Sequence, residues 1–373
     1  MSAVRGWCPG AWRPMRSGDG LILRIRPRGG RLDPDQMRAI AAGAERWGNG
    51  TIELTGRANI QLRGVADTGH APLMAALTRA GLIDPDPAAE SLRNIIVTPF
   101  ADVATDALAE AVARALVASG LPLPAKFGVA IDGAAPVLRN APADIRIEGG
   151  LIRADGMDRA APLRGPDDVV ALARWFLDRG GAPEGRGRMA ALIARGIRPD
   201  APLPAPAPGP TPEPGALPDA AGWLAGCAFG QIAPDTLRAL ALRGPVRLTP
   251  WRMIRVPGAA PPAGLIVAPG DPLMRIHACP GAPACAAGHA PVRDIARALA
   301  RHLPPGATMH LSGCAKGCAC PRPADIVLTA TPDGFALVRD GRAGDAPLAR
   351  GTDPAALITC PPPDRRSPDA PQL

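Results

Sequence analysis

The sequence predicts an internally duplicated α+β protein with a cysteine-bearing segment toward its C-terminal end. Three observations predict it. Leu32-Asp33-Pro34-Asp35-Gln36-Met37-Arg38-Ala39-Ile40-Ala41 returns as Ile232-Ala233-Pro234-Asp235-Thr236-Leu237-Arg238-Ala239-Leu240-Ala241. Each copy is followed by two short β-prone runs, so the pattern strand–helix–strand occurs twice. Four cysteines fall in two close pairs, Cys279 with Cys285 and Cys314 with Cys318.

The elements follow in order. Residues 21–26 alternate apolar side chains with Arg, the pattern of a half-buried strand. Asp33 is an N-cap and Pro34 fits the first helical turn, where a missing N–H costs nothing. Strands are expected over 52–55 and 60–64, and again over 246–249 and 254–258. Between the copies the sequence predicts a helix over 107–119 closed by Gly120, a strand over 127–131, and a hairpin of 145–147 with 151–153 around Gly149-Gly150. A helix over 166–178 precedes Gly180. Residues 200–219 (DAPLPAPAPGPTPEPGALPD) read as an extended, semi-rigid Pro/Ala linker dividing the chain into two halves. A helix over 292–302 and strands over 308–311, 326–329 and 335–339 complete the list, with Asp333-Gly334 and Asp340-Gly341 as turns.

The 373 residues are ample for a sizeable core, and 47% are apolar. Aromatics make up 3% and Tyr is absent, so Leu, Ile, Val and Ala must fill that core. The formal charge of +8 favours acidic partners. No aromatic-interleaved basic stripe is present, which argues against nucleic acid. No apolar run is long enough for a membrane span, nor is there an apolar N-terminal leader. A cytoplasmic monomer is expected. Of 42 basic residues only Lys126 and Lys316 are lysines; both fall inside motifs discussed next, where a compact ammonium differs from a planar guanidinium.

Cys279-x5-Cys285 and Cys314-x3-Cys318 supply four thiolates, the number an iron–sulfur cube requires. Zinc sites more often use tighter pairs, and a five-residue gap suits a loop wrapped round a larger group. Gly281, Gly288, Gly313 and Gly317 let backbone come close to such a group. Cys320 is a fifth nearby thiol, and His277, His289 and His310 lie close by in sequence; none has an assigned role. Cys8, Cys227 and Cys360 lack ligand spacing and read as structural or free.

These cysteines, with Ser312-Gly313-Cys314-x-Lys316-Gly317-Cys318, resemble the cluster signature of the sirohaem-dependent sulfite and nitrite reductase superfamily. The resemblance implies two ferredoxin-like half-domains (1–70 and 220–268), an α/β domain over 71–199 and a [4Fe–4S] domain over 269–373. In a sirohaem-bearing member Cys318 would bridge cluster and sirohaem iron. Thr55-Gly-Arg57-x-x-x-Gln61, Arg93-Asn94-Ile95 and Leu123-Pro124-Ala125-Lys126-Phe127 resemble segments that line the tetrapyrrole pocket. Arg57, Arg93 and Lys126 are thereby candidate pocket cations, suited to carboxylates.

One departure matters. The oxyanion reductases carry a second lysine two positions after the first, where this chain has Gly128. Cys8-Pro9-Gly10, Pro14-Met15 and Gly18-Asp19-Gly20-Leu21 instead resemble the start of the precorrin-3B synthases, the oxygen-using branch. That resemblance implies hydroxylation and lactone formation on precorrin-3A with dioxygen in cobalamin biosynthesis. It also implies a [4Fe–4S] cluster, a mononuclear non-haem iron of unassigned ligands, and an electron donor such as an NADH-linked reductase or ferredoxin. Other readings stay open at this point: a sirohaem sulfite or nitrite reductase, a non-catalytic electron-transfer or tetrapyrrole-carrier protein, and a zinc-stabilised binding module.

Overall fold

The structure is a computed structural model describing residues 10–218 and 221–359. The Cys8-Pro9 pair of the opening motif and Cys360 lie outside the described residues. The described residues form two compact units: one holds 10–16 and those within Gly20–Gly270, the other Ser17–Asp19 and 271–359.

In the first unit the repeat is visible as two five-stranded sheets. One runs Met15–Ser17, Gly20–Ile25, Ile60–Val65, Ile52–Leu54, Gln231–Ile232; the other runs Gly215–Ala216, Trp223–Gly226, Met253–Val256, Val246–Leu248, Arg31–Leu32. Each copy lends its two-residue strand to the other's sheet. Arg31–Leu32 pairs with Val246 and Arg247, and Gln231–Ile232 pairs with Ile52 and Glu53, both antiparallel.

The entry to each lent strand shows why the sequence permits this. A tight turn at Arg28–Gly30 places Gly29 and Gly30 at φ 57° and 70°, and Ala228–Gly230 repeats it with Phe229 at 57° and Gly230 at 77°. A Cβ on Gly30 would lie 3.1 Å from the Leu248 carbonyl, and one on Gly230 2.8 Å from that of Leu54. Both the left-handed backbone and the close approach call for glycine.

Each exchanged strand runs straight into its helix. Asp33 accepts from the Gln36 amide at 2.8 Å while the Gln36 side chain receives the Asp33 amide at 3.2 Å, a complete capping box for Pro34–Trp47. Pro234–Ala241 opens with proline alone. Leu32, Ile40, Ile52, Ile60, Leu62, Leu237, Leu240, Leu248 and Ile254 share one core, and Arg238 pairs with Glu45 across the helices.

A six-stranded sheet fills the remainder of this unit, in the order Leu203–Pro204, Arg159–Pro162, Leu151–Ala154, Ile145–Glu148, Val129–Asp132, Ile95–Val97. Ile95–Val97 runs parallel to Val129–Asp132, with helix Val103–Ala118 as the crossover between them. Helix Pro166–Asp178 buries Val169, Ala173 and Phe176, and the Phe176 ring lies 5.6 Å from that of Phe127. The 200–218 segment is anchored at several points. Leu203 and Pro204 pair with Ala160 and Arg159, Ala205 donates to Asp158 O, Gly209 donates to Pro136 O, and Gly215–Ala216 joins the second repeat's sheet. The compact division of the chain therefore falls at Gly270, not within this proline-rich stretch.

The second unit is a five-stranded sheet: Ile276–Ala278, Met309–Ser312, Ala324–Thr331, Gly334–Gly341, Ala349–Gly351. Its first three strands are parallel and the last two antiparallel. Helix Val292–Leu299 makes the crossover between the first two, burying Val292, Ala296 and Leu299. No helix among the described residues is long and apolar enough to cross a membrane.

Candidate functional site

Two residue groups carry the candidate chemistry, one in each unit. In the second unit, Cys279 directly follows Ile276–Ala278 and Cys314 lies two residues beyond Met309–Ser312, so both leave the C-terminal ends of adjacent parallel strands. Ligands of α/β sheets gather at such ends because the chain turns outward there. The Gly313 amide donates to Cys279 Sγ at 3.2 Å. Around it the loops are closed by backbone: Cys285 N to Gly281 O (2.8 Å), Gly288 N to Cys285 O (2.9 Å) and His289 N to Gly313 O (2.9 Å). A Cβ at Gly288 would lie 2.6 Å from the Ala282 nitrogen, and one at Gly313 3.0 Å from Gly281 Cα and 3.4 Å from Cys279 Sγ. Ser17–Asp19 belongs to this same unit. The Ser17 hydroxyl donates to Ala284 O at 3.3 Å, and a Cβ on Gly18 would meet the Ala286 nitrogen at 2.7 Å. That strap is legible in the sequence only as part of an N-terminal motif.

Burial and then the neighbouring thiols Cys314, Cys279 and Cys285 push the Cys318 thiol up, with exposed Lys316 pulling the other way. Four sulfurs that sense one another gain from a cationic group that neutralises them. Among the described residues no three His, Cys, Asp or Glu side chains converge as ligands of a single ion. His277 and His310 are cross-strand partners. His310 is fully buried, both its ring nitrogens lack a hydrogen-bond partner, and burial holds its pKa down to about 4. Cys320 is buried with its thiol toward Arg322 O at 3.5 Å.

In the first unit Arg57 sits on the turn between Ile52–Leu54 and Ile60–Val65. Thr55 Oγ1 accepts from the Arg57 and Asn59 amides at 3.3 Å each, and Ala58 has φ 53°. The repeat reproduces this turn with Thr249, Trp251, Met253 and Arg252 at φ 61°. Arg57 Nη1 donates to Pro142 O at 3.3 Å. Lys126 is exposed, on the loop that leads into Val129–Asp132.

Gly128 follows Lys126 by two residues. A Cβ there would stand 2.9 Å from the Asn94 carbonyl oxygen and 3.2 Å from Arg57 Nη1. A side chain at this position would meet the Asn94 backbone and the Arg57 guanidinium.

Asp144, unremarked in the sequence, organises this corner. It is fully buried, with its carboxyl pushed up by burial against the opposing pull of Arg188. It accepts from Gly128 N (3.0 Å), Met189 N (2.9 Å) and Arg188 Nε (2.9 Å). Arg188 also donates to Lys126 O at 3.1 Å and Ala143 O at 2.8 Å. An isolated Asp and an isolated Arg carry no spacing signal, so only the fold reveals them.

The structure brings Arg57 and Arg188 to Asp144, links Lys126 to them only through its backbone carbonyl, and sends the Arg93 guanidinium elsewhere. Arg93 Nε pairs with Asp84 and lies 3.6 Å from Glu90; its Nη1 donates to Leu82 O at 2.9 Å and Arg26 O at 3.4 Å. Glu90 also pairs with Arg26 at 3.4 Å. Burial pushes the Glu90 carboxyl up. For Asp84 burial is outweighed by Arg93 and Arg28, which hold it low. Arg93 is a buried brace with its charge already matched, and Asn94 carries its motif's link to the pocket by donating to Ala125 O at 3.1 Å.

Comparison with known proteins places these features in a family. Residues 13–80 match the family model of the nitrite/sulfite reductase ferredoxin-like half domain. A precorrin-3B synthase of Sinorhizobium sp is 31% identical over 93% of this chain and 85% of its own length. A ferredoxin–nitrite reductase of Leptolyngbya laminosa is 29% identical over 46% of this chain and 39% of its own length. The structure of the Mycobacterium tuberculosis NirA protein shares the fold, with TM-score 0.61, 19% identity, and coverage of 89% of this chain and 76% of that one. The likeness to the synthase runs nearly end to end, whereas that to the nitrite reductase stops short of half. The chain belongs to the precorrin-3B synthase family, within the nitrite/sulfite reductase-like fold.

Proposed function

We propose that this chain is a precorrin-3B synthase, an oxidoreductase of cobalamin biosynthesis that hydroxylates precorrin-3A with dioxygen and closes a lactone from a ring acetate. The observation that carries the reading is the near end-to-end kinship with a precorrin-3B synthase. The pocket chemistry supports it. Closure of the Gly128 position leaves this corner without the dense pair of lysines that small-oxyanion reduction uses. Arg57 and Lys126, on separate elements, are instead placed for a ligand bearing several carboxylates. They fix the macrocycle so that one carbon meets oxygen in a set pose. Arg93 serves the pocket indirectly, by bracing the segment that carries Asn94.

Cys279, Cys285, Cys314 and Cys318 would hold a [4Fe–4S] cluster. When bound, such a cluster supplies single electrons from a donor, an NADH-linked reductase or a ferredoxin. The glycine-lined loops keep that region narrow, and the Gly313 amide aimed at Cys279 Sγ would temper the charge on sulfur. We place the enzyme in the cytoplasm as a monomer.

Anaerobic purification, iron and sulfide quantification, then incubation with precorrin-3A in air and under argon test this. Oxygen-dependent formation of the hydroxylated lactone is expected. Sirohaem absorbance with six-electron sulfite or nitrite reduction would assign the chain to the reductases. Tetrapyrrole binding without turnover would assign it a carrier role.

A further inference from the structure

The Arg188 side chain is bound on its inner edge and open on its outer one. A guanidinium has five N–H groups. Three are used: Nε on Asp144, one Nη1 hydrogen on Lys126 O and one Nη2 hydrogen on Ala143 O. One N–H remains on each terminal nitrogen, and 32% of the side chain is exposed. Two other arginines near this sheet show what a purely structural arginine looks like here. Arg146 is 4% exposed, bound to Asp155, Leu138 O and Ala141 O; Arg153 is 7% exposed, bound to both Glu148 oxygens and Met157 O. Arg188 shares their inner anchoring but not their burial.

The charge balance points the same way. Arg188 and Arg57 both act on one buried carboxylate, Asp144, with the exposed Lys126 on the adjoining loop, so two guanidiniums share one carboxylate beside the candidate carboxylate ligand Arg57. A planar guanidinium held by its Nε, with an N–H left on each terminal nitrogen, suits a carboxylate as a further partner.

We propose that Arg188 is a substrate-binding residue that grips one peripheral carboxylate of the tetrapyrrole, in place of the cation that Gly128 cannot provide, with Asp144 as the positioning residue that fixes its plane. This deepens the synthase reading and rests on it for the identity of the macrocycle. The binding chemistry itself requires only a polycarboxylate ring.

The test measures binding of uroporphyrin III, with eight carboxylates, and coproporphyrin III, with four, to the full chain by fluorescence, at low and high salt. The parent is compared with Arg188→Gln, Arg188→Lys and the exposed Arg164→Gln. Arg188→Gln is expected to weaken uroporphyrin binding by about tenfold or more, the size of one charge-assisted bidentate pair. Coproporphyrin should lose less, and the salt dependence should flatten. Arg188→Lys should recover part of the loss, and Arg164→Gln should match the parent. Unchanged uroporphyrin affinity in Arg188→Gln overturns the proposal. So does an equal loss for both porphyrins accompanied by a drop in melting temperature, which would make Arg188 a brace like Arg146. If the parent turns over precorrin-3A while Arg188→Gln keeps its KM, the inference fails and the synthase reading stands. If Arg188→Gln loses uroporphyrin selectivity while the parent does not turn over precorrin-3A, the converse holds.

Discussion

Replacing Gly128 by alanine tests how tightly the corner around Arg57 is built. The new methyl group would lie 2.9 Å from the Asn94 carbonyl oxygen, 3.2 Å from Arg57 Nη1 and 3.6 Å from Asn94 Cβ. The first neighbour is backbone, and that carbonyl already accepts from Val129 N at 3.0 Å in the pairing of Ile95–Val97 with Val129–Asp132. It cannot retreat without stretching that bond. Overpacking of this kind costs about 1–3 kcal/mol. For a body of this size each kcal/mol lowers the melting temperature by roughly 2–4 °C, so a fall of about 2–12 °C is expected. The Arg57 guanidinium is the softer neighbour and swings away from Pro142 O, so KM for the tetrapyrrole rises as well. Gly128→Lys, which writes in the reductases' second lysine, should enlarge both effects instead of creating an anion site. Calorimetry with and without bound porphyrin, alongside KM, reads the outcome. A Gly128→Ala protein that melts with the parent and binds as tightly would refute the steric argument.

Further outcomes follow from other parts of the molecule. Cys314→Ala should lose iron and sulfide on anaerobic purification while Cys320→Ser keeps both; the opposite pattern would reassign the ligands. Burial holds His310 at about 4, below its usual 6.5, so the unfolded chain takes up that proton first. The stability tied to the neutral ring is whole above about pH 6.5 and is lost as pH falls toward 4, about 3 kcal/mol in all. His310→Leu should therefore flatten the acid limb of urea unfolding between those pH values, and an unaltered limb would count against it. Asp33→Ala removes the capping box and should cost about 1 kcal/mol, with Asp33→Asn retaining most of it; equal melting of both variants would show that the cap contributes nothing.

What the sequence revealed depended on how local the signal was. The duplication was legible because Asp33-Pro34 and Ala233-Pro234 open helices with one apolar spacing, and helix Pro166–Asp178 was legible to the residue because its proline and apolar face sit at its start and along one side. Helix Asp67–Arg79 was not read, since Gly69 and Pro72 lie within it and no side chain caps its start. It runs through residue 70, where the sequence expectation ended the first half-domain. The exchanged strands are two residues long, too short for any alternation to register. The Arg93 guanidinium was expected in the pocket because a motif names a residue but not its neighbours: Asp84 and Glu90, which pair with it, precede it in a stretch to which the sequence reading assigned no element. Asp144 and Arg188 are drawn together only by the sheet, forty-four positions apart in the chain.

The reciprocal lending of strands sets an order on how this chain is made. The first sheet waits for its last member until residues 231 and 232 have been synthesised, and Arg238 and Arg247 reach partners 193 and 218 residues upstream. Loops of that length close slowly, so the early-made repeat must leave the ribosome with a bare edge. Point changes that weaken the later repeat should then surface as poor yield and aggregation during expression, well before they show as lost catalysis in whatever protein survives.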